Sequence, residues 1–142
     1  MNALDIMHAE HACAKLSTRY ANCLDKFEDE AVLELFAPDG VWVHMVKGPL
    51  RGREVIGEFL KSRDRALLLR HIASNAEVEV LSPTKATGRS YWTAYIAKPG
   101  EADQLPTISA PASIGAYTDE YVCIDGQWYF ATRTMHPLFR GV

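Results

Sequence analysis

Apolar residues in the first part of the chain recur at intervals of three and four, the pattern of a helix with one buried face. This stripe comprises Cys13, Leu16, Tyr20, Cys23, Leu24 and Phe27. A second, short helix is predicted over "EDEAVLELFA", ending at the turn signature Pro38-Asp39-Gly40. A third is predicted over "GREVIGEFLKSRDRALL", which returns to helical spacing. The pattern therefore predicts three N-terminal helices.

Strand patterns dominate the remainder. "GVWVHMV", between the second and third helices, is β-branched and aromatic and predicts a strand. Further strands are predicted at Leu69–Ser74, Glu77–Leu81, Lys85–Ala97, Ser113–Ile124 and Gln127–His136. The segment 98–111 predicts a long polar loop, either a lid over a pocket or a mobile connection. Helices followed by strands predict one α+β domain over residues 1–142, with the helices packed on a curved, mostly antiparallel sheet around a cone-shaped cavity.

Composition narrows the range of functions. Apolar residues make up 48% and charged residues 23% of the chain, as in ordinary globular proteins. The net charge is −3 and no basic block is present, which argues against nucleic acid as a partner. Three widely spaced cysteines without a CxxC motif indicate a reducing compartment. No signal peptide or apolar run of the ~20 residues that span a bilayer is apparent. We expect a soluble, cytoplasmic protein that does not bind membranes.

Two residues suggest chemistry. "LLLRHIASN" places His71 in an apolar strand, where a histidine is either a core residue with a hydrogen-bond partner or the base of a pocket. Asp25 lies beside the apolar stripe of the first helix, where a carboxylate needs a partner. If the two meet in a cavity, the carboxylate would orient the imidazole and stabilise the imidazolium formed when the ring takes a proton. Tyr20 lies ~140° around an ideal helix from Asp25, so it joins them only if the pocket wraps the helix end.

Strand alternation supplies candidate wall residues. Sets that share a face are Trp42 with His44, then Trp92 with Ala94 and Ile96, and Ser113 with Gly115 and Tyr117. The sequence leaves open which face is concave. Tyr91 and Tyr95, on the opposite face from Trp92, could form the surface of a homo-oligomer. His8 and His11 have no third ligand, so no metal site is predicted.

Three stretches of the chain, "RYANCLDKFEDEAVLELFAPDGVW", "LLRHIASNAEVEV" and "GAYTDEYVCIDGQWYF", resemble the SnoaL-like, nuclear-transport-factor-two-like cone family. The resemblance covers nearly the whole chain and is strongest to the lyase branch, which includes scytalone dehydratase, lindane dehydrochlorinase and bile-acid dehydratase. It implies that Asp25 and His71 form an Asp–His general base, with a polar pocket residue at the Tyr20 position. It also implies that His44 replaces a tyrosine that polarises the substrate carbonyl through water, and that Tyr117 lies near a pocket asparagine.

The chain departs from this pattern at Ile96, where scytalone dehydratase has a second histidine, so a single-histidine arrangement is implied. Arg133 is the candidate for the second charged partner of the bile-acid enzyme. The resemblance implies a cofactor-independent, dehydratase-type lyase, and the predicted aromatic walls indicate a hydrophobic cyclic or aromatic substrate. We expect the chain to form a homodimer or homotrimer. An isomerase or cyclase using the same base remains an alternative, as does a non-catalytic binding or association module.

Overall fold

The computed structural model describes residues 1–142, and the chain folds into three helices and one six-stranded sheet. The helices are α1 (Ala3–Asp25), α2 (Asp29–Leu33) and α3 (Gly52–Lys61). The strands are β1 (Phe36–His44), β2 (Gly48–Arg51), β3 (Leu68–Ser82), β4 (Lys85–Ala97), β5 (Ser113–Ile124) and β6 (Gln127–Arg140). The predicted α+β architecture, three helices on a mixed, mostly antiparallel sheet, is confirmed. No helix is both long and apolar enough to traverse a lipid bilayer.

The sheet runs in the order β2-β1-β6-β5-β4-β3 and does not close. Only β1 and β6 pair in parallel; every other pair is antiparallel. Register shifts interrupt β3, β5 and the β1–β6 pair, and such bulges increase the local bend and twist of a sheet. The result is a curved sheet with β3 at one edge, against which α1 packs.

Helix α1 begins with a capping box, in which the side chains of Asn2 and Asp5 each accept a hydrogen bond from the other residue's backbone N–H. Its predicted apolar stripe is buried from Cys13 to Leu24. Phe27 lies beyond the helix end, in the left-handed region with φ of 57°. The chain therefore turns sharply just after Asp25, which leaves this carboxylate at the helix end beside β3.

The structure corrects several predicted boundaries. Helix α2 ends at Leu33, and the Pro38-Asp39-Gly40 turn lies inside β1 as an irregularity in its pairing with β6. Phe36, at the start of β1, is fully buried and packs against Phe130. Its burial in the aromatic core outweighs the helical spacing of the local sequence. Helix α3 ends at Lys61, well short of its predicted end, and the two strands predicted at Leu69–Ser74 and Glu77–Leu81 form one bulged strand.

Candidate active site

A mostly apolar cavity of about 280 Å³ lies between the end of α1, helix α3 and the inner face of the sheet. Its lining includes most of the candidates from the sequence: Tyr20, Trp42, His44, His71, Trp92, Ile96 and Tyr117. The faces carrying Trp42 and Trp92 are therefore the concave ones. A larger depression of about 710 Å³ on the outer face has a single hydrophobic lining residue, so the inner cavity is the better place for an apolar guest.

Asp25 and His71 are hydrogen-bonded in the wall of this cavity. Oδ1 of Asp25 lies 2.6 Å from Nδ1 of His71, and the backbone N–H of His71 donates to both carboxylate oxygens, at 3.1 and 2.9 Å. Strand β3 is an edge strand, so N–H groups on its open side need a partner from outside the sheet. The Asp25 side chain is 2% exposed and that of His71 19% exposed. One carboxylate thus fixes both the backbone and the ring of His71.

This contact determines the tautomer of His71. An ionised carboxylate only accepts hydrogen bonds, so Nδ1 of the neutral ring carries the proton. Nε2 then keeps its lone pair, and none of the chain's hydrogen bonds uses that atom. Arg70, largely exposed, places Nη1 3.8 Å from Oδ2 of Asp25, so a positive charge also lies beside this carboxylate. The arrangement can accept a proton at Nε2 while Asp25 stabilises the resulting imidazolium.

His44 lies on another part of the cavity wall and makes a different contact. Its Nδ1 accepts hydrogen bonds from the backbone N–H groups of Val46 and Lys47, at 3.1 and 3.2 Å. The ring packs against Trp42 and Phe59, with centroid distances of 5.2 and 4.5 Å. Burial, together with the charge of Lys47, lowers the pKa of His44 below its ordinary value. His44 is therefore held in its neutral form.

Aromatic rings make up the cavity floor. Tyr20 is 1% exposed and meets Trp42, Tyr117 and Phe130 edge to face. Its hydroxyl has no hydrogen-bond partner, and burial, with Tyr117 beside it, raises its pKa well above the ordinary value. Burial likewise raises the pKa of Tyr117 to about 12. Both phenols are therefore protonated at neutral pH.

The two tryptophans differ in their hydrogen bonding. Nε1 of Trp92 donates to Oγ of Ser113 at 3.1 Å, whereas the buried Nε1 of Trp42 has no partner.

Ile96, at the position where the resemblance implies a second histidine, is 46% exposed and lines the cavity. The wall at that point is apolar, and His71 has no second imidazole partner from β4.

The structure places Arg133 beneath the cavity rather than in its wall. Arg133 donates to both carboxylate oxygens of Asp119, at 2.9 and 3.1 Å, and to Oγ of Ser17 at 2.6 Å. The guanidinium and the carboxylate are both 0% exposed. The cation lies 3.7 Å from the ring centroid of Tyr117 and 4.4 Å from that of Tyr20. Arg133 therefore supports the floor and does not line the space that a guest would occupy.

Sequence reasoning missed some of these residues. Phe59 and Met135 line the cavity, and Asp119 holds Arg133. Alternation could have found Asp119, since it lies two residues after Tyr117 on the same face of β5. His8 and His11 lie exposed on α1, and no group of three or more potential metal-ligating side chains comes together anywhere in the chain.

Comparisons with known proteins agree with this fold. The sequence profile of the SnoaL-like domain matches residues 5–134. A provisionally named scytalone dehydratase from Novosphingobium aromaticivorans superposes with a TM-score of 0.77 at 24% identity, over 95% of this chain and 87% of that one. A type 2 hexachlorocyclohexane dehydrochlorinase superposes with a TM-score of 0.82 at 19% identity, over 99% and 92%.

A protein of unknown function from Mycobacterium tuberculosis shares the fold as well, with a TM-score of 0.72 at 25% identity, over 87% of this chain and 72% of that one. Comparison with curated proteins finds no match. At these identities the solved structures establish the shared fold, while the activity must be argued from the site.

Proposed function

Because this chain belongs to the SnoaL-like domain family, we propose that it is a cofactor-independent lyase of the dehydratase type. The observation that carries the proposal is the 2.6 Å contact between Asp25 and Nδ1 of His71 in the wall of an apolar cavity. A buried acid–imidazole pair facing an open pocket is a common way to tune a catalytic base. Structural neighbours named as a dehydratase and a dehydrochlorinase add support.

In the proposed reaction, Nε2 of His71 removes a proton from a carbon next to an activating group. Asp25 stabilises the imidazolium, and the ring then gives the proton to the departing hydroxyl, which leaves as water. Tyr20 or His44, directly or through water, polarises a carbonyl or assists the leaving hydroxyl. General base catalysis of this kind typically contributes ~10²–10⁴-fold to the rate.

The cavity supports a hydrophobic ring as the substrate. Trp42 and Trp92 form part of its wall, and apolar residues predominate in the lining. Its volume of about 280 Å³ lies near the lower end of the roughly 300–1,000 Å³ typical of ligand pockets. A small cyclic or aromatic molecule, of the size of a polyketide or xenobiotic ring system, fits this volume better than an extended chain.

The test is a panel of cyclic hydroxy-ketones assayed by mass spectrometry in deuterated water. We expect at least one compound to lose water, and we expect Asp25→Asn and His71→Gln each to slow that loss by at least about 100-fold. Exposed positions supply matched controls, Asp39→Asn and His8→Gln, which should leave the rate unchanged. Deuterium uptake without loss of water would indicate an isomerase instead. Full turnover in both Asp25→Asn and His71→Gln would exclude the Asp–His base.

We also propose that copies of the chain associate through the outer face of the sheet. Tyr91 and Ile72 are each 49% exposed on this face, with Tyr95 nearby. We expect light scattering to give the mass of a homodimer or homotrimer, and Tyr91→Glu to lower that mass by placing a charge on the buried contact. A monomer in the unaltered protein would contradict this part of the proposal.

A further inference from the structure

The last turn of α1 places a negative charge where a helix disfavours one. A helix C-terminus carries partial negative charge and carbonyl groups without partners inside the helix, so an anion there is unfavourable. Asp25 is the final residue of α1, and that turn contains no basic residue. Lys26, which follows, is exposed. We therefore expect a cation from another part of the chain to stabilise this end of the helix.

Arg63, in the connection between α3 and β3, supplies this cation. Its Nη1 donates to the carbonyl oxygen of Leu24, the residue directly before Asp25, at 3.2 Å. Its Nε donates to the carbonyl oxygen of Leu60 at 3.3 Å, and its Nη2 to Oδ1 of Asp29 at 3.1 Å. The side chain is 15% exposed. Acceptors from all three helices thus hold the guanidinium in one place.

The same guanidinium belongs to the cavity wall. Arg63, Leu24 and Phe27 all line the cavity, together with His71. The guanidinium carbon lies 4.7 Å from the ring centroid of Phe27, whose left-handed backbone forms the turn after Asp25. Arg63 therefore contacts residues that flank Asp25 on both sides in the chain.

The contact between Asp25 and His71 depends on where the end of α1 lies. The carboxylate is 2.6 Å from Nδ1 of the ring and also accepts from the backbone N–H of the same histidine. Hydrogen bonds weaken steeply as the distance grows and the angle bends. A shift of the last turn by about 1 Å would therefore break the contact with Nδ1.

Building on the lyase proposed above, we propose that Arg63 is a positioning residue for its base. Arg63 holds the last turn of α1 at the place where the Asp25 carboxylate meets Nδ1 of His71, which keeps the ring proton on Nδ1 and the lone pair on Nε2. Without Arg63 the carboxylate no longer fixes the tautomer, and the ring proton is free to move to Nε2. A neutral ring protonated at Nε2 cannot take a proton from a substrate with that atom.

Arg65 provides a matched control. It too contacts Phe27, with its guanidinium carbon 5.3 Å from the ring centroid, and it too forms an ion pair with Asp29. However, it donates to the carbonyl oxygen of Phe27 and not to that of Leu24. It is also 47% exposed and does not line the cavity. If the ion pair with Asp29 were the only important contact, the two arginines would be equivalent.

The first test is ¹⁵N NMR of histidine-labelled protein at about pH 8, where an unperturbed imidazole is neutral, and it needs no substrate. We expect the Nδ1–H tautomer for His71 in the unaltered protein and in Arg65→Met. We expect a mixture with the Nε2–H tautomer in Arg63→Met. His71→Gln assigns the signals by removing them. An unchanged tautomer in Arg63→Met, or the same mixture in both arginine variants, would overturn the proposal.

The second test separates kcat from KM for a hydroxy-ketone that the unaltered protein dehydrates. Arg63→Met should lower kcat by about 10- to 100-fold, as expected for a catalytic group displaced by about 1 Å, and should change KM by less than about threefold. Arg63→Lys keeps the charge and should recover part of this loss, whereas Arg65→Met should stay within about twofold of the unaltered protein. A raised KM at unchanged kcat would mean that Arg63 binds the substrate, which contradicts a positioning role.

Arg63→Gln decides the question if Arg63→Met does not fold. Its shorter, uncharged side chain retains a polar end, and we expect the same mixture of tautomers at His71; the Nδ1–H tautomer alone would overturn the proposal. The two proposals also fail separately. If no hydroxy-ketone is dehydrated but Arg63→Met still alters the tautomer, the lyase is wrong and the positioning of Asp25 by Arg63 is retained. Dehydration that requires His71 but not Arg63 gives the reverse result.

Discussion

Two buried carboxylates lie close to the same aromatic floor, yet their surroundings differ. Asp25 meets a histidine that is partly exposed to an open cavity, whereas Asp119 meets Arg133 where both side chains are 0% exposed. Histidine titrates near neutral pH and can exchange a proton; arginine stays charged and cannot. The comparison shows that burial of an acid does not by itself indicate catalysis. We propose that the partner of the acid, and the access of that partner to an open cavity, distinguish a catalytic pair from a structural ion pair.

The buried pair of Asp119 and Arg133 also shapes the cavity from below. The guanidinium contacts the rings of Tyr20, Tyr117 and Phe130, and its Nη2 bonds Ser17 of α1. These contacts tie α1 to β5 and β6, and Tyr20 and Tyr117 are cavity residues. The pair therefore helps to fix the position of these two rings in the cavity lining.

The largest expected difference between the two pairs is in stability. Arg133→Met should lower the free energy of unfolding by about 3–5 kcal/mol, because it leaves the Asp119 charge buried without its partner. His71→Gln should lower it by about 1 kcal/mol or less, because the amide can still donate to Asp25. Urea denaturation measures both. Equal losses of stability in the two variants would mean that the Asp25–His71 pair contributes as much to the stability of the fold as the Asp119–Arg133 pair.

Two controls accompany this measurement. Arg89→Met breaks an ion pair with Glu77 that is largely exposed on the outer face, and it should change the stability by about 0.5 kcal/mol or less. The double variant Asp119→Leu with Arg133→Met removes both buried charges and should be more stable than Arg133→Met alone. If the double variant is no more stable than Arg133→Met, then the Asp119 charge is compensated by other groups once Arg133 is removed.

The next difference is in the response to pH. The pKa of His44 is lowered in the fold, chiefly by burial, so the unfolded chain binds a proton at pH values where the folded chain does not. This contribution lowers the stability as the pH falls through the ordinary histidine value of 6.5. Urea unfolding at about pH 7.5 and about pH 5.5 should therefore show a smaller acid loss in His44→Asn than in the unaltered protein. An identical loss would contradict a neutral, buried His44.

The smallest expected effect concerns Tyr20, which belongs to both regions, since it lines the cavity and stacks on Arg133. Its hydroxyl has no partner, so Tyr20→Phe should leave the stability within about 1 kcal/mol of the original. Turnover should change by less than about threefold if His44, and not Tyr20, polarises the substrate carbonyl. A large loss of turnover at unchanged stability would indicate that Tyr20, and not His44, has this polarising role.

Much of the fold follows from local pattern. The spacing of Cys13, Leu16 and Tyr20 specifies a helix whatever surrounds it, and the strands at Lys85–Ala97 and Ser113–Ile124 have the bounds that alternation predicts. Errors occur where tertiary burial competes with local preference, as at Phe36, which leaves a helical pattern to join the aromatic core.

The sequence by itself determined most of the helical and strand segments, the family resemblance, and the hypothesis that Asp25 and His71 form a pair. Only the tertiary structure decided that the faces with Trp42 and Trp92 are concave, that Arg133 lies under the floor, and that His44 and His71 have opposite tautomers. The spacing of apolar residues predicts which face of each segment is buried, but it does not predict which segments contact one another. The tautomer of a histidine depends on the groups that meet its ring, here a carboxylate from α1 for His71 and two backbone amides for His44.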